Sequence, residues 1–185
     1  LTYAREGANS RLEIGASYRQ VDLDFSDPVV LILDDIYDDG IFDDGDLILD
    51  TGTRKTRSYG LEFETGLNDP LGFGVVLDYN KSEYSGTTDP GLYDRETYST
   101  ELFAKLRLSP LAQGRFAVSH EKYEADDFSQ EERTTNDARF EVTYDISPVT
   151  TLETMIGYRD IKETTNILPG KTEDGFIGSV ALVRD

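Results

Sequence analysis

The chain has 185 residues, with 18 basic and 37 acidic side chains, one His, one Met and neither Cys nor Trp, and a formal charge of −19 at neutral pH. So acidic a chain without a basic face is repelled by phosphate backbones, which excludes nucleic-acid binding, and a lone His120 with no Cys excludes structural zinc, disulfide frameworks and thiol redox chemistry. The longest apolar run, Val29 to Leu33, is too short for a membrane helix of roughly 20 residues, but β-barrel strands escape that test because they meet lipid only at every second residue.

Period-two alternation runs through nearly the whole sequence. Leu1 to Ala4 reads as the end of a strand, and Gly7 to Ser10 as a short turn. Arg11 to Tyr18 then places Leu12, Ile14, Ala16 and Tyr18 on one face and Arg11, Glu13, Gly15 and Ser17 on the other. After a long acidic connection, roughly Asp22 to Thr53, alternation resumes over Ser58 to Leu67, with Tyr59, Leu61 and Phe63 opposed to Glu62 and Glu64. Gly72 to Asn80 follows, then Tyr98 to Leu108, in which Phe103 is a misfit on the polar parity. Arg115 to Ser119, Asp137 to Ile146 and Leu152 to Arg159 continue the pattern, and Gly175 to Val183 is extended with ambiguous faces. That makes about eight strands and no helix, since no window carries apolar residues at i, i+3, i+4 and i+7.

The connections alternate in length. Keeping the apolar faces together across each hairpin predicts five-residue turns at Asn68 to Gly72, Ser109 to Gln113 and Ser147 to Thr151, each containing a proline that fixes φ and cannot donate to a ladder. Between them lie longer polar loops, roughly Ser82 to Asp94, Glu124 to Thr134 and Lys162 to Thr172. Short turns therefore gather at one end of the sheet and long loops at the other. A propeller blade would need four short strands per repeat, whereas each repeat here holds one hairpin of long strands. The expected fold is all-β: an antiparallel up-and-down meander, one domain over residues 1–185, forming a transmembrane β-barrel or part of a larger one.

Alternation alone fits a soluble barrel, apolar inside, as well as a membrane barrel, apolar outside. Three features bear on the choice. Tyr18, Tyr59, Tyr79, Tyr98 and Tyr158 sit where the apolar face nears a long loop, and Phe73, Phe116 and Tyr144 near the short-turn ends, the places of lipid-facing aromatic girdles. The polar face mixes charges of both signs, with Glu62, Glu64, Asp78, Glu101, Lys105, Arg107, Arg139, Glu141 and Arg159 as candidate lumen-lining residues. The loop asymmetry matches outer-membrane insertion. Against this, the apolar face of Phe73 to Tyr79 climbs only roughly 16 Å of an apolar band about 25 Å tall.

The phrases Leu106-Arg107-Leu108-Ser109-Pro110 and Tyr144-Asp145-Ile146-Ser147-Pro148-Val149-Thr150-Thr151-Leu152, followed by Ile156-Gly157-Tyr158, make the chain resemble bacterial outer-membrane β-barrels of the beta-barrel porin 2 type. The resemblance covers nearly the whole chain. It implies a porin-like passive channel or an envelope structural element in the bacterial outer membrane, with outer-membrane lipid, lipopolysaccharide and the barrel-assembly machinery as partners and no cofactor. Such barrels usually finish on an aromatic residue, whereas this chain ends at Val183-Arg184-Asp185 and begins at Leu1 without a leader, so it is read as a segment truncated at both ends.

The stretch Asp22 to Thr53 contains eleven Asp and no basic residue. It is expected to be extracellular and to form a β-hairpin. Asp34, Asp35, Asp38, Asp39, Asp43, Asp44 and Asp46 could hold Ca²⁺, which takes six to eight oxygen ligands, but their spacing does not fit an EF-hand, and a solvated loop that repels anions is the favoured reading. No enzyme is expected: His120 lies on the apolar parity and Ser119 on the opposite one, so they cannot pair as base and nucleophile. The rival to a membrane barrel is a soluble, secreted calcium-binding or adhesive β-domain with Leu61, Phe63, Val75, Leu77, Leu106, Phe140, Val142 and Ile156 as its core.

Overall fold

The computed structural model describes residues 1–23 and 52–184. They form one nine-stranded antiparallel sheet in strictly sequential order: β1 (Thr2–Glu6), β2 (Ser10–Asp22), β3 (Thr53–Thr65), β4 (Leu71–Ser85), β5 (Arg95–Ser109), β6 (Ala112–Ala125), β7 (Glu132–Ser147), β8 (Thr150–Thr164) and β9 (Lys171–Arg184). The fragment at Leu1 to Ala4 is thus a paired ninth strand, and the sheet is open, with β1 and β9 as its edges. The aspartates considered for calcium lie outside the described residues.

The strands run further than alternation predicts. From β2 onward they hold 13 to 16 residues, against about 9–11 for a tilted membrane crossing. The additional residues are polar on both parities at the long-loop end, such as Lys81 to Ser85 and Glu121 to Glu124, so the hydrophobic pattern is silent there. The loops shrink accordingly to residues 86–94, 126–131 and 165–170.

The short turns also differ from expectation. Those at Ser109 and Ser147 have only two residues between strands, Pro110-Leu111 and Pro148-Val149, with a register irregularity just before each, between Arg107 and Ser109 and between Asp145 and Ser147. A one-residue bulge beside a two-residue turn keeps the apolar faces together as well as a five-residue loop would. Each serine fixes its turn by accepting the N–H two residues on, Leu111 at 3.2 Å and Val149 at 3.3 Å. The third connection has five residues, 66–70, two positions earlier than predicted, because Gly66 takes φ +80°, a conformation that favours glycine. Neighbouring turns are laced together: Arg107 N donates to Pro70 O and Asp145 N to Leu111 O, both at 2.8 Å.

The sheet has a single layer, so which face is covered follows from its curl. Val118 pairs with Ala138 and Ala117 with Arg139. Ala117 on the polar parity is completely buried, while Ala138, on the apolar parity of the next strand, is exposed. The same inversion separates Phe103, 7% exposed on the polar face, from Phe116, 51% exposed on the apolar one. Identical side chains, different shielding: the sheet curls toward its charged face. Every residue proposed as the core of a soluble domain lies on the other face, with Phe63, Leu77, Leu106, Phe140 and Ile156 exposed. Among the described residues these side chains are not enclosed as a core. The register also resolves β9, placing Phe176, Gly178, Val180 and Leu182 on the apolar face beside Tyr158, Ile156, Thr154 and Leu152.

Candidate functional site

The charged face is built on small residues. On β4 it presents Gly72, Gly74 and Val76, and on β6 Ala117 and Ser119, so long side chains from the flanking strands cross over these two strands and meet. Lys105 on β5 reaches over β4 to Glu64 on β3, with Nζ 2.6 Å from Oε1. Arg139 on β7 reaches over β6 to Glu101 on β5, and Arg115 on β6 binds the other oxygen of the same carboxylate. Arg139 also holds Glu141 at 2.7 Å and Asp137 at 3.0 Å. Arg115 shares Glu141 at 3.2 Å, and Arg159 approaches Asp137 at 3.7 Å. Arg11 pairs with Glu62 at the β2–β3 end of the row, and Ser119 Oγ donates to Asp137 Oδ1 at 2.5 Å.

Phe103, the misfit of the alternation, is the apolar centre of this network. Its ring lies flat on Gly74, where any Cβ would come within 2.2 Å of Cζ. Above the ring stand the Arg115 guanidinium at 4.4 Å and the Lys105 ammonium at 5.2 Å, within the range of cation–π attraction. Glycine at 74 makes the slot, and the aromatic ring orients two cations of the ladder.

All nine residues predicted for the charged face are on it. The structure joins eight of them to partners: Arg107 donates to Leu67 O at 3.5 Å, and the rest enter the ion pairs above. Asp78 lies beside Gly60 and enters no ion pair among the described residues. Three further members, Arg11, Arg115 and Asp137, were visible in the alternation but had no signal to separate them from any other charged residue. The ladder's carboxylates are Glu62, Glu64, Glu101, Asp137 and Glu141 and its cations Arg11, Lys105, Arg115, Arg139 and Arg159, five against five. The ion-paired set is therefore neutral, with its charges locked against one another, and Glu13, opposite Glu62, leaves the face at this level one negative charge in excess.

The opposite face carries the eight predicted girdle aromatics. Tyr79 stacks on Tyr59 at 5.9 Å and meets Tyr98 in a tilted pair at 4.7 Å, and Tyr158 meets Phe176 edge-on at 5.4 Å. Their arrangement is oblique. Tyr18 lies in the cross-strand row that runs through Arg57, Lys81, Glu96, Glu124 and Glu132 to Thr164. Tyr59, Tyr79 and Tyr98 are two residues lower, and Tyr158 is six residues below Thr164. At about 3.4 Å per residue and 4.8 Å between strands, this aromatic border falls about 20 Å over about 29 Å of sheet, an angle of about 35°. Membrane barrels tilt their strands by roughly 35–45°.

Between these aromatics, β6 and β7 carry His120 and Asn136 at the border, hydrogen-bonded at 2.7 Å. His120 and Ser119 are turned to opposite faces, as the alternation predicts. The apolar band below the border is taller than expected on β4, because the strand begins at Leu71, opposite Leu106. The eight steps from Leu71 to Tyr79, tilted by about 35°, climb about 22 Å, close to the band of about 25 Å in membrane barrels. No helix among the described residues is long and apolar enough to cross a membrane, and none of their His, Asp and Glu side chains cluster as a metal site. No protein-family model matches the chain, and neither curated proteins nor solved structures include one similar to it.

Proposed function

We propose that this chain forms the wall, or part of the wall, of a β-barrel in the bacterial outer membrane and works as a porin-like passive conduit. The observation that carries the reading is the inversion of its faces: large apolar side chains stand exposed on one face, while on the other Glu64 and Asp137 are buried and Glu101, Lys105, Arg115 and Arg139 are partly covered. Monomeric soluble proteins rarely expose apolar patches beyond a few hundred Å², and lipid is the solvent that suits such a face. The oblique aromatic border supports it, because a border parallel to a membrane must cross the cross-strand rows at the tilt of the strands.

In this reading the charged face lines the water-filled interior. Its neutral ladder gives the wall little ionic preference of its own, and the acidic segment between β2 and β3 enriches cations at the mouth. Outer-membrane lipid and lipopolysaccharide surround the apolar band, and the assembly machinery inserts it. The test is fractionation followed by conductance. The full-length protein stays in carbonate-washed membranes and gives ohmic, weakly cation-preferring currents in planar bilayers; recovery in the soluble fraction without detergent would refute the membrane, and absence of conductance would leave a structural role in the envelope.

A further inference from the structure

The strands run past the aromatic border on the long-loop side, and three apolar side chains stand beyond their ends. β6 continues five residues past His120 and β8 six past Tyr158, a climb of about 14–17 Å at a tilt of about 35°. The head-group layer of a bilayer adds only about 5–7 Å to each side of its hydrocarbon core, so loops 126–131 and 165–170 lie outside lipid. Yet Phe128 is 92% exposed and Leu168 68%, and Ile167 is exposed as well. Lipid accounts for the apolar face below and not for these three.

The loops that carry them are tied down. Asp127 accepts from Ser129 Oγ at 2.7 Å and from the Glu131 N–H at 3.2 Å, and Ala125 N donates to Glu131 O at 2.8 Å, closing a turn with Phe128 inside it. In the other loop Leu168 N donates to Thr165 Oγ1 at 3.1 Å. The two loops are also joined to each other, since Asn166 N donates to Ser129 O at 2.8 Å and Asn166 Nδ2 to Gln130 Oε1. Phe128 and Ile167 therefore flank one hydrogen-bonded junction. Apolar groups on a backbone already held in place cost little further ordering when a partner covers them.

The rim of this patch is acidic. Residues 121–133 and 160–174 hold ten acidic and four basic side chains, and each of the four lies no further than 3.9 Å from a carboxylate. The excess negative charge is left for an outside partner. A second copy would bring the same acidic rim, and lipopolysaccharide its phosphates, so both are repelled.

We propose that these loop tips are a docking surface for a basic, amphipathic polypeptide: its apolar side chains cover Phe128, Ile167 and Leu168, and its lysines or arginines meet the acidic rim. The membrane-wall reading enters only in placing the tips beyond lipid.

The test titrates the protein, folded in maltoside micelles, into a fluorescein-labelled amphipathic peptide of lysine and leucine, and reads anisotropy against empty micelles. Saturable binding is expected, weakened about tenfold or more by Phe128→Ser combined with Leu168→Ser. It should weaken too in about 1 M NaCl, where the reach of charge falls to about 3 Å. Peptides of the same length made of glutamate and leucine, or of lysine and serine, should not saturate. Phe128→Leu keeps an apolar tip and should bind like the unaltered protein, which separates loss of the patch from loss of the fold. Absence of binding, equal binding by the double variant, or equal binding of the glutamate–leucine peptide would overturn the proposal. Release of the protein from carbonate-washed membranes would overturn the membrane-wall reading alone, whereas retention with equal binding by the double variant would overturn the proposal alone.

Discussion

Val142→Arg separates a lipid-facing from a water-facing apolar surface. On β7 the outward residues are Ala138, Phe140, Val142, Tyr144 and Ile146, so Val142 stands four residues from either end of the apolar stretch. With a strand tilt of about 35°, that is about 11 Å from each border. An arginine at the middle of a barrel's lipid face costs about 2–4 kcal/mol, falling to about 0–1 near the interfaces. The same exchange on a water-exposed strand usually stays within about 0.5 kcal/mol. Thr134→Arg, on the same strand and face but beyond the border, is the matched control. Equilibrium unfolding of the protein in phospholipid vesicles should show the folding constant reduced roughly 30- to 900-fold for Val142→Arg and by less than about tenfold for Thr134→Arg. Equal effects at the two positions, or a cost below about 0.5 kcal/mol at Val142, would refute the reasoning.

The charged face makes its own predictions. Gly74→Val drives a side chain into the Phe103 ring and should destabilise the sheet by about 1–3 kcal/mol, read as a lower denaturant midpoint with unchanged slope; a neutral result would mean that the ring does not occupy the slot. A double-mutant cycle of Glu101→Gln with Arg139→Met should give a coupling of about 0.5–3 kcal/mol, since the two groups touch directly in a partly shielded network; additive effects would show that the ladder is not formed. Glu101→Gln also leaves the ladder one positive charge in excess, so current in planar bilayers should shift toward anions, and an unchanged reversal potential would place the ladder away from the conducting path. Calorimetric titration with millimolar CaCl₂ should give no saturable heat, because the aspartates between β2 and β3 are read as a solvated surface; a saturable isotherm would assign them a calcium site.

How much of this was legible in the sequence depended on where one face differed from the other. Within the apolar band the difference is large, and Leu12 to Tyr18, Leu61 and Phe63, or Phe140 to Tyr144 sort themselves by parity alone. Above the border both faces are polar, so alternation could not follow β4 to Ser85 or β6 to Ala125, and the loops looked longer than they are. The two-residue turns were hidden for a different reason: a bulge changes parity without leaving a mark in composition, and only the register across Arg107/Ser109 and Asp145/Ser147 exposes it.

Phe103 looked like an error in the pattern because hydropathy scores a residue in isolation. Its place is set by Gly74 on the neighbouring strand and by the cations above it, a cross-strand relation that no window along one strand contains. The ion ladder was legible as a list of charges, not as a neutral network, since pairing over an intervening strand depends on small residues at Gly72, Gly74 and Ala117. The direction of curl, toward the charged face, lies in the three-dimensional sheet and not in the alternation.

Because the chain has no cysteine, a site-directed spin-label scan from Asp137 through Ile146 tests that inversion most directly. In lipid bilayers, labels at 138, 140, 142 and 144 should be accessible to oxygen and those at 139, 141, 143 and 145 to a water-soluble nickel reagent, with a period of two residues. Water-soluble reagent reaching 140 and 142 as readily as 139 and 141 would contradict a lipid-facing apolar surface.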